Sequence, residues 1–281
     1  MQRDIRREEQ DMRATILVDN HGTKALKGEW GLSAFIEYGD KRILLDAGGS
    51  GLFAENARKM GIDLKSVDYG VLSHNHYDHG DGIPTFFEEN DKAKFLVRSC
   101  RCANCYSKNI FFSKYIGTRR DVIKTHPDRL AKVSGDYKVE DGIYLIPHKT
   151  AGLDEIGRRE RMYLKTESGW KPDDFSHEQS LVFRTEKGLV IFNSCSHGGA
   201  ATIIKEVSDT FPGEKVYAMI GGFHLYNKSR KYIKRFAQAV KDTGIEYICT
   251  GHCTGDRAYK LLKKELGPIC HQLETGLVIE F

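Results

Sequence analysis

The sequence predicts a layered α/β protein, and three observations support that class. Short runs rich in β-branched residues dominate the first part of the chain, and strand-like and helix-like segments alternate in its last part. Of the 281 residues, 40% are apolar, and the mean hydropathy of -0.47 is that of an ordinary soluble protein. A chain of this length can bury a full core, so we expect one domain.

The first half of the chain begins with three predicted strands separated by turn residues. These strands cover residues 14–20, 31–39 and 41–49, and they are followed by a short helix at 52–61 and a buried strand at 67–74. Residues 83–174 are less regular. They contain one clear strand candidate, GIYLIPH at 142–148.

The last part of the chain has a sharper pattern. The segment SLVFRTEKGLVIFNSCSH is typical of a hairpin with its turn near Lys187 and Gly188. After it the sequence predicts helices and strands in alternation: a helix at 201–211, a strand at 215–224, a helix at 229–244, a strand at 245–252, a helix at 256–267 and a final strand at 271–281. Such alternation favours a parallel sheet.

Composition and charge exclude several classes of function. Residues 1–13 mix both charge signs without the apolar core of a secretory signal, so we interpret them as a solvated extension of a domain at 14–281. No run approaches the roughly 18 apolar residues that would span a membrane. Seven cysteines without a signal peptide indicate a reducing cytoplasm. The net charge of +4, with no basic block, argues against nucleic acid and is compatible with a small anionic substrate.

Histidines stand at the ends of four predicted strands. They are His74 in VLSH, His197 in NSCSH, His224 in IGGFH and His252 in CTGH. A single strand-end histidine is usually a hydrogen-bonded core or loop residue. Four of them indicate one shared site, because the carboxyl ends of strands in α/β proteins gather polar residues into a crevice.

The segment HNHYDH makes a metal site the leading interpretation. Its His74 and His76 can face one ion, and Asp78 and His79 can reach a neighbouring ion. Imidazole and carboxylate groups are natural ligands of zinc, which we favour, and also of manganese or iron. We expect His197 and His252 to supply the remaining ligands of one or two ions.

The mechanism predicted for this site follows from the ions. A bound divalent metal lowers the pKa of water from 15.7 to about 7 and thereby supplies hydroxide at neutral pH. Asp78 would orient that hydroxide as well as hold its ion. Glycines 198 and 199 and Thr254 precede predicted helices, so their backbone groups are candidate donors to an anionic substrate, although the glycines could equally form simple turns.

The cysteines raise a competing possibility. Cys100, Cys102 and Cys105 form a C-x-C-x-x-C cluster, but a closed zinc site needs a fourth ligand that the adjacent sequence does not supply. A reduced thiol cluster is the favoured interpretation, although His126 or His148 could complete a metal site. Cys195 and Cys253 adjoin predicted ligands, where packing or contacts behind the ligands suit them better than nucleophilic catalysis.

These motifs carry a family resemblance. HNHYDH resembles the HxHxDH signature of the metallo-β-lactamase superfamily. Within it, the chain is similar to the branch named for 7,8-dihydropterin-6-methyl-4-(β-D-ribofuranosyl)-aminobenzene-5′-phosphate synthase. The shared segments are GLSAFIEYGDKRILLDAG, NARKMGIDL, LSHNHYDHGDG, HEQSLVF, GLVIFNSCSHGG, IGGFHL and GHCTG.

The resemblance implies a fold and site residues. It implies a four-layer αββα sandwich with a metal centre between two sheets. It also implies that Asp46 in ILLDAG supports the metal loop from behind the ligands. His177 lies about where the superfamily places a third-motif histidine, and we treat it and His224 as candidate metal or substrate contacts.

The resemblance also implies an activity. The expected protein is a metal-dependent hydrolase or phosphoryl-ester enzyme acting on a small anionic molecule such as a pterin-ribofuranosyl phosphate. A non-catalytic metal or ligand sensor and a diiron redox protein on the same scaffold are the alternatives. The diiron enzymes usually carry a glutamate at the second ligand position, which is His76 in this chain.

Overall fold

The structure is a computed structural model that describes residues 11–99 and 104–281. Its strands are β1 (Met12–Val18), β2 (Ser33–Tyr38), β3 (Lys41–Leu45), β4 (Tyr69–Val71), β5 (Lys94–Arg98), β6 (Cys105–Lys108), β7 (Ser113–Tyr115), β8 (Leu130–Val133), β9 (Tyr137–Glu140), β10 (Ile143–Pro147), β11 (Met162–Thr166), β12 (Gly169–Pro172), β13 (Gln179–Thr185), β14 (Gly188–Phe192), β15 (Val216–Gly221), β16 (Tyr247–Thr250), β17 (Cys270–Gln272) and β18 (Val278–Glu280). Its α-helices are α1 (Leu52–Lys59), α2 (Tyr77–Gly80), α3 (Ile83–Glu89), α4 (Arg120–Thr125), α5 (Asp154–Glu160), α6 (Ala200–Thr210), α7 (Arg230–Asp242) and α8 (Asp256–Leu266).

Two seven-stranded sheets form the centre of the fold. The first has the order β18-β1-β2-β3-β4-β5-β8, and the second has the order β17-β16-β15-β14-β13-β10-β9. In the second sheet β14, β15, β16 and β17 are parallel neighbours, as the alternating pattern predicts. A small third sheet, β12-β11-β6-β7, arises from the middle of the chain.

The two large sheets pack face to face. Successive residues of a strand point to opposite faces, so Ile36 and Phe183 enter the core between the sheets while Phe35 and Val182 face outward. The outward face of the first sheet packs against α1 and α3, and that of the second packs against α6, α7 and α8. The four-layer αββα sandwich is therefore confirmed.

Two predicted boundaries are wrong. Strand β1 begins at Met12 instead of residue 14, because the Met12 side chain is buried in the sheet core; residues 1–10 lie outside the described part of the chain. The predicted final strand at 271–281 is two strands in different sheets. The chain turns at Gly276, with φ of 90°, and donates the Gly276 N–H to Ile16, which directs β18 into the first sheet.

The described helices are short relative to a bilayer. The longest, α7, has 13 residues and alternates apolar with charged positions. Within residues 11–99 and 104–281, no helix combines the length and the apolarity that crossing a membrane requires.

The packing predicts a large stability loss for Phe183→Ala. Phe183 is fully buried between the sheets and contacts the rings of Tyr38 and Phe192. We expect the free energy of unfolding, measured by urea denaturation, to fall by about 3–5 kcal/mol. The control Phe111→Ala, at a side chain that is 91% exposed, should change it by less than about 0.5 kcal/mol. A loss below about 1 kcal/mol for Phe183→Ala would contradict this packing.

Candidate metal centre

Loops that follow four strands bring buried histidines into one cluster. The loop after β4 carries the HNHYDH segment, and β14, β15 and β16 are followed by His197, His224 and His252. Because β4 belongs to one large sheet and the other three strands to the opposite sheet, the cluster lies where the two sheets meet.

A first group consists of His74, His76 and His197. The ring centroids of His74 and His76 are 4.6 Å apart, and each is 5.0 Å from that of His197. One ring nitrogen from each residue lies within 4.8 Å of the other two. Burial and the neighbouring imidazoles hold the pKa of all three well below the usual 6.5, so the rings are neutral and have lone pairs to donate.

A second group consists of Asp78, His79 and His252. The Asp78 Oδ2 atom lies 3.8 Å from His79 Nε2 and 3.5 Å from His252 Nε2. Burial lowers the pKa of His252 to about 3. Burial also lowers the pKa of His79, but the Asp78 and Asp46 charges outweigh it and raise that pKa to about 9. This group thus places one carboxylate between two imidazoles.

The hydrogen bonds behind these rings fix their tautomers. His252 Nδ1 lies 3.0 Å from the Asn20 Oδ1 atom, and His79 Nδ1 lies 2.8 Å from Asp46 Oδ2. Since both oxygens can only accept, each Nδ1 carries a hydrogen. The neutral His252 ring therefore presents a lone pair at Nε2, and His79 Nε2 would do so once a bound cation displaced its proton.

Orphaned nitrogens provide the test of whether a cation fits. In the described part of the chain, six buried imidazole nitrogens of this cluster have no hydrogen-bond partner: His74 Nε2, His76 Nε2, His197 Nδ1 and Nε2, His224 Nδ1 and His252 Nε2. Buried polar atoms without partners are costly and uncommon. Each neutral imidazole has one lone pair, so His74, His76, His197 and His252 can each offer one to a divalent cation, and these residues fit the metal that the sequence predicts.

Asp46 holds the cluster from behind. Its Oδ1 accepts the Ser73 N–H at 2.7 Å, and its Oδ2 accepts the hydroxyls of Ser73 at 2.7 Å and Ser194 at 2.6 Å, besides His79 Nδ1. The carboxylate therefore joins the loop after β4 to the loop after β14.

Strained backbone concentrates at the same place. Asp46, Ser196, His224 and His252 all have a positive φ, between 45° and 55°. Residues other than glycine adopt this left-handed conformation rarely, and it costs roughly 1–3 kcal/mol each unless the surroundings compensate. Strain of this kind accompanies preorganised functional sites.

A buried ion triplet supports His197. Glu178 accepts the His197 N–H at 3.0 Å, and its other oxygen lies 2.5 Å from His148 Nε2. His148 Nδ1 lies 2.9 Å from Glu206. Burial lowers the His148 pKa, but hydrogen bonds to Glu178 and Glu206 raise it to about 9. Burial raises the Glu206 pKa, but the His148 hydrogen bond brings it to about 2.

His177 lies beside the cluster but is engaged by the protein. Its Nδ1 accepts the Asn75 N–H at 3.2 Å, and its Nε2 lies 3.1 Å from Asp173 Oδ2 and 3.6 Å from Cys105 Sγ. With both nitrogens occupied, His177 holds the backbone between the first two histidines of the loop. One ligand atom from each of His177, His76, Cys105 and Asp173 lies within 4.8 Å of the others.

His224, Cys195 and Cys253 line the cluster. The His224 ring is 4.7 Å from that of His197. Cys195 Sγ lies 3.4 Å from His79 Nε2, and Cys253 Sγ accepts the His224 N–H at 3.2 Å. Both thiols are buried against the predicted ligands, in contact with them.

The backbone groups predicted to bind an anion form hydrogen bonds within the protein. The Gly198 N–H donates to Glu178 at 3.3 Å, and the Gly199 N–H donates to the Ser196 carbonyl at 2.8 Å. The Thr254 N–H donates to the Gly251 carbonyl, and the Thr254 hydroxyl oxygen accepts the Phe223 N–H. Each of these N–H groups therefore already has an acceptor within the folded protein.

Of the three cysteines in the C-x-C-x-x-C cluster, the structure describes Cys105. Cys100 and Cys102 lie outside the described residues. Cys105 is buried next to His177. Neither histidine proposed as a fourth ligand points to it, because His148 is bound between two glutamates and His126 packs on Phe87.

Sequence reasoning missed the residues that orient the ligands. Asp19 accepts the His252 N–H at 2.7 Å, and Asn20 fixes the His252 ring. Both are the last residues of the first predicted strand and directly follow β1, so the strand-end rule that identified the histidines could also have identified them. Glu178 directly follows His177, but nothing in its own neighbourhood indicates that it binds the His197 backbone.

Comparisons with known proteins define the class. The model of the metallo-β-lactamase superfamily matches residues 31–152. The chain is 32% identical over 270 residues to the 7,8-dihydropterin-6-methyl-4-(β-D-ribofuranosyl)-aminobenzene-5′-phosphate synthase of Methanocaldococcus jannaschii. The aligned region covers 89% of this chain and 90% of the relative. The chain therefore belongs to the metallo-β-lactamase superfamily.

Solved structures agree with that class. Tm1679, described as a metal-dependent hydrolase of the β-lactamase superfamily, superposes with a TM-score of 0.80 and 28% identity, covering 96% of this chain and 99% of its own. Zn²⁺-bound PqqB from Methylobacterium extorquens has a TM-score of 0.55 at 9% identity, covering 95% of this chain and 99% of its own, and shares the fold.

The role of Asp46 predicts weaker metal binding by Asp46→Asn. An asparagine keeps the shape but has one acceptor oxygen where four hydrogens converge, so the loops and the His79 tautomer lose their support. We expect zinc affinity, measured by competition with a fluorescent chelator, to fall about 10–100-fold. The control Asp40→Asn, at a side chain that is 80% exposed, should leave it unchanged. Equal affinity of both variants would disprove this role.

The ion triplet predicts a pH window for folding stability. The folded pKa of His148 is raised, so its contribution is complete below pH 6.5 and is lost as the pH rises through 9. The folded pKa of Glu206 is depressed, so its contribution is complete above pH 4.5 and is lost as the pH falls through 2. The stability difference between wild type and His148→Gln, measured by urea unfolding, should be largest between pH 4.5 and 6.5, at roughly 3–5 kcal/mol. A difference independent of pH would contradict the assignment.

Proposed function

We propose that this protein is a metal-dependent hydrolase or phosphoryl-ester enzyme that acts on a small anionic molecule. The observation that carries the proposal is the cluster of buried imidazole nitrogens without partners, one of which, His252 Nε2, lies 3.5 Å from the Asp78 carboxylate. Hydrogen bonding inside the described protein leaves these nitrogens unused, and a bound cation would take one lone pair each from His74, His76, His197 and His252.

The two groups of side chains would hold one or two divalent cations. His74, His76 and His197 would form one position. Asp78, His79 and His252 would form the other. The donor set is rich in imidazole and therefore favours zinc, with manganese or iron as the alternatives. A divalent cation bound there would lower the pKa of water from 15.7 to about 7 and would polarise the bond to be cleaved.

The residues of the chain itself would orient the reactants. The Asp78 carboxylate, 3.5 Å from His252 Nε2, would accept a hydrogen bond from the attacking water and fix its direction. His224 is partly exposed and its Nδ1 has no partner in the described chain, so that atom would contact the substrate or donate a proton to the leaving group.

The substrate class is proposed from the relative. The M. jannaschii protein is named for a pterin-ribofuranosyl phosphate product, and we propose a related phosphorylated molecule for this chain. Because that name denotes a synthase, bond formation to the same class of molecule is a second candidate. A panel of phosphodiester, thioester and lactone substrates, followed by product as well as by substrate loss, distinguishes both from a sensor, which would turn over none of them.

The proposal predicts that His74→Ala and Asp78→Ala each abolish turnover while the far-UV circular dichroism stays native. Each change removes one ligand of a different cation position, so we expect activity to fall at least about 1000-fold. Elemental analysis should show a lower metal content in each variant. The control His271→Ala changes a histidine that stacks on Tyr247 in the second sheet and should retain both. Full turnover by either ligand variant would disprove the mechanism.

A further inference from the structure

Two half-exposed aromatic side chains stand next to the metal centre. Trp30 is 46% exposed and Tyr226 is 47% exposed. Their ring centroids are 5.8 Å apart with an interplanar angle of 85°. The Trp30 ring is 5.2 Å from that of His252, and the Tyr226 ring is 5.3 Å from that of His224. The pair therefore extends from the buried ligands to the surface.

The backbone on both sides of Trp30 is fixed. The Glu29 carboxylate accepts the Gly49 N–H at 3.1 Å and the Ser50 hydroxyl at 2.6 Å. The Gly31 N–H donates to Asn20 Oδ1, the same oxygen that orients His252. The hydrogen bonds of its two neighbours therefore hold Trp30 in a fixed position at the surface.

Close backbone packing ties the same loop to the cluster. A Cβ atom at Gly31 would lie 2.7 Å from the Asp78 carbonyl oxygen, so only glycine permits this approach. Trp30 is therefore anchored against the backbone of a predicted metal ligand.

Tyr226 is held by the loop that carries His252. Its N–H donates to the Cys253 carbonyl at 3.2 Å. Gly255, with φ of 71°, lies directly beneath it, and a Cβ there would be 3.0 Å from Tyr226 Cβ. Two different loops thus place the two rings edge to face without burying either.

We propose that Trp30 and Tyr226 form the binding surface for a planar aromatic ring of the substrate, whose anionic group reaches the metal centre. This inference rests on the proposed function, because it takes the metal centre as the site of the anionic group. Large apolar surface left in water next to polar groups is typical of a binding site. Aromatic rings also prefer edge-to-face and offset arrangements with one another, so a planar ring gains more from this pair than a saturated ring of similar size.

The test uses two ligands that cannot be hydrolysed, phenylphosphonate and cyclohexylphosphonate, with the metal-loaded protein. The chain has two tryptophans, so Trp170→Phe leaves Trp30 as the only indole reporter. We expect phenylphosphonate to change the Trp30 emission saturably and to bind at least about threefold more tightly than cyclohexylphosphonate, as an aromatic pair predicts.

Substitutions identify the contact. By calorimetry, Trp30→Ala should weaken phenylphosphonate about three- to tenfold and cyclohexylphosphonate less than about twofold, whereas Trp30→Phe should retain most of the affinity. The matched control is Trp170→Ala, at a 40% exposed tryptophan on β12 that packs on Tyr106, and it should change neither affinity. Metal content and thermal melting check that each variant is folded.

Several results would overturn the inference. They are no binding of phenylphosphonate to the wild type, an unchanged Trp30 emission, equal affinity for the two phosphonates, or full affinity in Trp30→Ala. Because no turnover is involved, the two proposals fail separately. Aromatic binding at Trp30 by a protein without hydrolytic activity would contradict only the proposed function, and hydrolysis with an unaltered Trp30→Ala affinity would contradict only this inference.

Discussion

The carboxylate of Asp46 is the interaction on which the rest of the site depends. It is fully buried, and a buried charge is tolerated only when several donors satisfy it. Those donors come from Ser73 after β4, from Ser194 after β14 and from His79. Satisfying one charge therefore fixes the positions of two loops from opposite sheets.

Burying the imidazoles in front of Asp46 without a bound ligand is unfavourable for folding. Burial costs their nitrogens hydrogen bonds to water, and the positive φ angles at Asp46, His224 and His252 add strain. The three apolar cores of the sandwich supply the stability that offsets both costs. A site that is unfavourable in isolation but rigidly supported is preorganised for a ligand that the protein must bind.

The loops of the cluster carry both a buried hydrogen-bond network and a half-exposed aromatic pair. Behind the rings, Asp46 and Asn20 bind ring nitrogens of His79 and His252, and Glu178 binds the backbone N–H of His197. On the outer side, Trp30 and Tyr226 remain half exposed. Trp30 contacts the His252 ring and Tyr226 contacts the His224 ring, so the aromatic pair lies where the cluster meets the surface.

Local sequence patterns predict the features that depend on neighbouring residues. The close spacing of the HNHYDH segment placed four candidate ligands together, and the strand-helix alternation placed His197, His224 and His252 at strand ends. Only the tertiary structure decided which groups remain available. It showed that the N–H groups of Gly198 and Gly199 are consumed and that the last strand divides between two sheets. It also showed that Glu178 and Asn20 orient ligands, Asn20 acting on a histidine more than 200 residues away. Such contacts depend on how the two sheets pack, and local sequence patterns do not show which distant residues will meet.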